Sequence, residues 1–210
     1  MNCFEQGNVV GFLHQPGLGS GGGLALTHGA GGNCEAPSLV KVAGEFCAQG
    51  WTVLRYELPF RQHRRSGPPS PHSAASDQAG VRDAVAQIRT LTTRPIVAGG
   101  HSYGGRQTTM LAAKEPDLCG ALVAFSYPLH PPKRPDQLRT AHFPELRIPV
   151  LFVHGTADPF GTPEEMQTEI RAIPAKTKLL LIDGAGHDLR GGKIDVPMIV
   201  SELKTLLEGA

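Results

Sequence analysis

The sequence predicts a single α/β domain over residues 1–210, a three-layer α/β/α sandwich around a mostly parallel sheet of six or seven strands. Three observations predict it. Apolar runs of strand length alternate with segments whose apolar residues recur at helical spacing, a pattern that buries parallel strands beneath crossover helices. The 26 glycines and 18 prolines fall mostly between those runs and read as turn punctuation rather than disorder. No internal repeat and no linker-like stretch divides the chain.

The elements follow in order. Residues 9–13 form an apolar strand, and a glycine-rich turn over 17–23 leads to a second at 24–27, ending at His28. From 36 to 49, Leu39, Val42, Ala43, Phe46 and Cys47 keep helical intervals until Gly50 closes the helix. Residues 52–56 return to a strand. A polar, proline-rich stretch then precedes a helix over 77–91, with Val81, Val85, Ile88 and Leu91 on one face. A strand at 96–99 runs into a helix at 103–113. Further strands are expected at 122–125, 150–153 and 179–182, and further helices at 163–173 and 196–207. In sheets of this kind functional loops gather beyond the carboxyl ends of the strands, so the residues just after each strand matter most.

Bulk properties narrow the function. With 40 % hydrophobic and 19 % charged residues and a formal charge of +1, nothing global calls for a nucleic-acid or membrane partner. No run approaches the ~18 apolar residues of a membrane span. Residues 1–13 lack a basic start, a long apolar stretch and a small-residue cleavage site, so a cytoplasmic protein is expected. Cys3, Cys34, Cys47 and Cys119 form no C-x-x-C pair and are expected as free thiols; Cys34, beside a glycine-rich loop, is a candidate for oxidation. The nine histidines lack metal-site spacing, and neither a metal nor a cofactor is expected.

One motif carries the chemistry. Gly100, His101, Ser102, Tyr103 and Gly104 spell G-x-S-x-G directly after a strand and at the start of a helix. The context is needed: a strained strand-to-helix turn exposes the serine Oγ, and the flanking glycines allow backbone approach where a Cβ would clash. It also aims the Tyr103 amide at a developing oxyanion. Earlier in the chain, His28-Gly-Ala-Gly-Gly32 ends a strand with a loop able to supply a second donor, the Ala30 amide. Chain order in such folds runs nucleophile, acid, histidine, and two strand ends after the elbow deliver Asp158 and His187. His187 is then the general base and Asp158 its orienting acid.

His28, His101 and His154 are read as site-lining or structural. Asp183 and Asp188 are alternative acids, but they sit too close to His187 for the usual separate loop. Gly17-Leu-Gly-Ser-Gly-Gly22 matches G-x-G-x-x-G but leads into a strand, which leaves no helix N-terminus for a phosphate. Arg55, Arg61, His63, Arg64 and Arg65 form a basic cluster just after a strand, read as a solvated loop with docking of an acidic substrate or partner as the sharper reading.

These residues resemble the small, lidless α/β-hydrolase-fold group that includes testis-expressed protein 30, and the chain is broadly similar to dienelactone-hydrolase-like proteins. The resemblance spans residues 24–190. It rests on Leu26-Thr-His-Gly-Ala-Gly-Gly32, Gly99-Gly-His-Ser-Tyr-Gly-Gly-Arg106, Phe125-Ser-Tyr-Pro-Leu-His-Pro-Pro132 with Leu138-Arg139, and Pro149-Val-Leu-Phe-Val-His-Gly-Thr-Ala-Asp158. It implies the triad Ser102, Asp158 and His187 but no substrate. Pro128, Pro131, Pro132 and Pro135 oppose a helical lid after Phe125, so a short loop is expected there. Tyr127 and His130, with His28, are then expected to line the substrate site.

The expectation is a serine hydrolase that cleaves small carboxylic esters or thioesters through an acyl-enzyme, with an open, shallow pocket suited to short acyl groups. The alternative is a non-catalytic scaffold on the same fold, since a larger relative is a subunit of a histone-acetyltransferase assembly. C–C or peptide-bond hydrolysis on the same triad is a third reading. Oligomeric state is not legible.

Overall fold

The structure is a computed structural model in which residues 1–17, 19 and 21–208 are described; Leu18 and Ser20 of the glycine-rich turn lie outside them. Eight strands form one sheet: β1 (Asn2–Gln6), β2 (Val9–His14), β3 (Gly23–Thr27), β4 (Thr52–Tyr56), β5 (Ile96–His101), β6 (Ala121–Phe125), β7 (Val150–Gly155) and β8 (Thr177–Ile182). Their order is β1-β2-β4-β3-β5-β6-β7-β8, antiparallel at β1–β2 and β2–β4 and parallel from β4 onward.

The expected six or seven strands become eight because of β1. That strand turns only Phe4 into the core, between exposed neighbours, so no apolar run announces it. It is held instead by a two-residue hairpin in which Gln6 faces Val9 and Gly7, at φ 59°, takes the first loop position. Glycine there supplies the positive φ that a tight hairpin turn needs.

The helices are α1 (Pro37–Ala48), α2 (Pro59–His63), α3 (Ala74–Leu91), α4 (Tyr103–Ala112), α5 (Pro163–Glu169) and α6 (Val196–Glu208). Helix α1 opens with proline at its first position, where a missing N–H costs nothing. Its Leu39, Val42, Ala43 and Phe46 pack with Ile199, Val200, Leu203 and Leu206 of α6 on one face of the sheet. On the other face Val81, Ala84, Val85 and Ile88 of α3 join Leu111 and Ala112 of α4. Each large aliphatic buried this way contributes about 1.5–3 kcal/mol. The result is the expected three layers. The segment expected as one helix over 163–173 divides into α5 and a 3₁₀ turn, Ile170–Ala172. A capping box starts α5: the Glu165 amide donates to Thr162 Oγ1 and the Thr162 amide to Glu165 Oε2.

Between β6 and β7 the chain carries one 3₁₀ turn, Phe143–Glu145, and no α-helix. Among the described residues no helix is long and apolar enough to cross a membrane.

Candidate active site

Four parallel strands, β3, β5, β7 and β8, deliver the motif residues to one rim of the sheet. Ser102 stands between β5 and α4 at φ 49°, ψ −114°, a region a non-glycine residue enters only at a cost of about 1–3 kcal/mol. The turn is fixed on both sides. The Ser102 amide donates to the Phe125 carbonyl at 2.8 Å, and the Arg106 amide to the Ser102 carbonyl at 2.9 Å. A Cβ on Gly104 would stand 2.4 Å from the His28 carbonyl oxygen, and one on Gly100 2.9 Å from Gly104 and Gly105 backbone atoms. Only glycine lets the loop after β3, the elbow and α4 approach this closely.

Ser102, His187 and Asp158 are brought together. Ser102 Oγ lies 2.8 Å from His187 Nε2, and His187 Nδ1 lies 2.8 Å from Asp158 Oδ2. With a neutral ring both bonds form when Nδ1 donates to the carboxylate and Nε2 accepts from the hydroxyl. The Asp158 side chain is fully buried, whereas His187 keeps about a fifth of its side chain open to the cleft. The Phe160 amide donates to Asp158 Oδ1 at 2.8 Å, and the Phe160 ring stacks on His187 at 4.0 Å between centroids. One short loop therefore positions both Asp158 and His187. His101 adds a tether: its Nε2 donates to the His187 carbonyl at 2.7 Å. Burial, the largest influence, holds the His101 ring below its ordinary pKa, which suits a neutral donor.

Ala30 and Tyr103 border the same cleft. The loop carrying Ala30 is held from below by Arg61. This side chain, 6 % exposed, donates from Nε to the Gly32 carbonyl at 2.8 Å and from Nη2 to the Ala30 and Gly67 carbonyls at 2.8 and 3.0 Å. Nη1 donates to the Arg64 carbonyl at 3.1 Å. Arg61 is thus neither a solvated charge nor a docking point; it bolts the loop over 29–32 to the segment that leads into the proline-rich wall. His63, Arg64 and Arg65 are exposed, while Arg55 is buried and donates to His14 Nε2 at 2.9 Å and to the Cys34 carbonyl.

Three residues expected to line the substrate site do not. His28 is fully buried beneath its loop, where Nδ1 donates to the Gly29 carbonyl and Nε2 accepts from the Leu58 amide. Tyr127 is also fully buried: after β6, Ser126 takes φ 48° and turns the ring against Phe143 and Phe152, with the hydroxyl donating to the Arg139 carbonyl. His130 faces the Pro131 carbonyl and the Glu165 carboxylate. Nearness to a strand end in sequence did not place these side chains in the cleft. His154 is buried under Asp158 and donates to the Gly161 carbonyl. Asp183 and Asp188 are exposed, engaged by Thr156 and Arg190. Cys34 is buried, and burial with the Glu57 charge pushes its thiol well above the ordinary range, which opposes the expected oxidation.

Sequence reasoning missed Phe160 and Asp77. Asp77 Oδ1 accepts from the Phe60 amide at 3.0 Å and Oδ2 from the Tyr103 hydroxyl at 2.7 Å, tying α2, α3 and the elbow together. Phe160 had a signal, an aromatic in the Asp-Pro-Phe-Gly loop; Asp77 had none beyond its place in the first turn of a helix. The cleft encloses about 1000 Å³. That is the upper end of small-molecule pockets, so its size does not impose the expected restriction to short acyl groups.

Residues 22–200 match the family described as alpha/beta hydrolase domain. A stretch of 103 residues is 36% identical to the polyketide synthase ThaQ of Burkholderia thailandensis, covering 45% of this chain and 5% of that protein. Matches to other curated relatives span up to 47% of their length, so the chain covers less than half of each. Among solved structures, Est1E from Butyrivibrio proteoclasticus with ferulic acid bound superposes with a TM-score of 0.74 at 18% identity, over 100% of this chain and 98% of that one. A dienelactone hydrolase from Anabaena variabilis gives 0.72 at 20% identity, over 96% and 91%. At these identities the structural likeness is one of fold.

Proposed function

The chain belongs to the alpha/beta hydrolase domain family, and from that membership we propose that it is a serine hydrolase acting on carboxylic esters or thioesters through an acyl-enzyme. The observation that carries the reading is the unbroken relay from Ser102 Oγ through His187 to buried Asp158, both links at 2.8 Å, on a turn strained to expose the serine. One similar structure is named for a dienelactone hydrolase and a curated relative for a putative esterase, NocK of Nocardia uniformis, which supports an ester substrate.

The steps follow from the geometry. Ser102 Oγ bonds to the substrate carbonyl carbon as its proton passes to His187 Nε2, and the carbonyl oxygen becomes an oxyanion facing the Ala30 and Tyr103 amides. Asp158 stabilises the imidazolium without taking its proton. The ester C–O or thioester C–S bond then breaks, and His187 returns the proton to the departing alkoxide or thiolate. Water, deprotonated by His187, releases the acid and restores Ser102. Each oxyanion donor is expected to be worth ~10²–10³ in rate.

The test is intact-mass labelling with a fluorophosphonate probe, run beside Ser102→Ala and His187→Ala. Stoichiometric labelling of the wild type alone is expected. A folded wild type that takes up no probe overturns the reading in favour of a scaffold without catalysis.

A further inference from the structure

Two arginines share the cleft with Ser102. Arg106 lies on α4 one turn past the serine, and Arg139 on the loop between β6 and β7; both border the cavity with Ser102. They neighbour each other: the Arg106 charge, after burial, holds the Arg139 guanidinium below its ordinary pKa. Among the described residues neither forms an ion pair with a carboxylate. The Arg106 Nε is buried without a hydrogen-bond partner. Leaving a charged donor unsatisfied is costly, and placing a second cation beside it adds repulsion. The rest of the lining does not relieve it, because among the described residues the sole lining acid, Asp188, is already paired with Arg190. The chain as a whole carries a formal charge of only +1, so this concentration is local.

Resting on the proposed hydrolase reading, we propose that Arg106 and Arg139 form an anion subsite beside Ser102 and that the substrate carries a negatively charged oxygen-terminated group, a carboxylate or a phosphate. Guanidinium forks match such groups in geometry and charge. An anion between them offsets the mutual repulsion of the two guanidiniums. The neighbouring His142 adds no competing cation, since burial and then the Arg106 charge lower its pKa to about 4, and its Nε2 is bonded to Thr109 Oγ1.

Two measurements test this. The first is the ratio of kcat/KM for a succinate half-ester to that for the matching butyrate ester, with an ester of a phosphate-bearing alcohol as the other arm. Wild type is expected to favour one charged ester by about 10- to 100-fold, the acyl arm pointing to a carboxylate and the alcohol arm to a phosphate. Arg139→Met is expected to bring the ratio near one, and Arg139→Lys to keep part of it. The second is calorimetric binding of succinate and of inorganic phosphate to wild type, Arg139→Met and Arg106→Met, which needs no turnover. Should Arg106→Met fail to fold, Arg139→Met still decides. Equal rates on charged and neutral esters by a protein that labels at Ser102 overturn the subsite and leave the hydrolase reading standing. A protein that does not label but binds succinate or phosphate through Arg139 does the reverse. Absence of binding by either anion, or binding that survives Arg139→Met, overturns the subsite.

Discussion

Replacing Arg61 by methionine keeps most of the buried stem and deletes the guanidinium. Four hydrogen bonds vanish, to the carbonyls of Ala30, Gly32, Arg64 and Gly67. Bonds from a charged donor contribute about 1.5–3 kcal/mol each, but the four share one group and the freed carbonyls of surface loops regain water. A net loss of about 3–4 kcal/mol follows, near the upper end for single substitutions. For a chain of this length that is a fall in Tm of about 6–16 °C. The effect on rate is separate. Ala30 contributes both the carbonyl that Arg61 holds and the amide proposed to face the oxyanion, so a loosened loop moves the donor itself. Misplacement by an ångström costs about 10²-fold; kcat for Arg61→Met is expected to fall ~10–10²-fold, with KM changing less than about threefold. Arg61→Lys restores charge without the fork and should fall between. Urea unfolding and ester hydrolysis at a temperature where the variant is fully folded give the two numbers. A kcat within twofold of wild type in folded Arg61→Met refutes the link between this arginine and the oxyanion loop.

Ser102→Gly should abolish hydrolysis yet raise stability by about 1 kcal/mol, because glycine occupies φ 49° without strain; a destabilised variant in urea would count against stored strain at the elbow. Phe160→Ala removes the ring stacked on His187 while leaving its own amide to bond Asp158, so kcat should drop about tenfold with KM nearly unchanged, and a change confined to KM would assign Phe160 to substrate contact instead. His14 has a pKa lowered to about 4 by burial and then by Arg55. A histidine depressed in the folded state binds more protons when unfolded, so its stabilising contribution is present above pH ~6.5 and is lost as pH falls towards 4. Wild type should therefore lose about 2 kcal/mol more than His14→Gln between pH 7 and pH 4; equal losses would remove His14 from the acid response.

Much of the fold was legible because parallel strands buried on both faces leave compact apolar runs, and β3, β5, β6 and β7 all read that way. The edge strand β1 was not, since it is covered from one side and needs a single inward residue, Phe4. Its readable trace was the Gly7-Asn8 turn. Ser102 directly follows β5, while Asp158 and His187 sit in the loops after β7 and β8, where the Phe160 amide and ring hold them in line. Nearness to a strand end does not decide the matter, since Tyr127 lies closer to the end of β6 than His187 does to that of β8, yet the positive φ at Ser126 turns it into the core. Charge patterning also has a blind side: Arg61, Arg64 and Arg65 look alike in sequence, yet only the first finds backbone carbonyls to replace water.

The rim on which Ser102, Asp158, His187 and Ala30 meet is assembled from the ends of β3, β5, β7 and β8, which span most of the chain and of the sheet. No local fragment contains enough of it to react. During synthesis the elbow emerges well before His187, so Ser102 remains an ordinary hydroxyl until the last strand docks and the loop after it closes. Pairings of this range are late and slow steps of folding. On the proposed hydrolase reading, nucleophilicity at Ser102 becomes a marker of completed folding, and an active-site label used on a mixture would count native molecules rather than total protein.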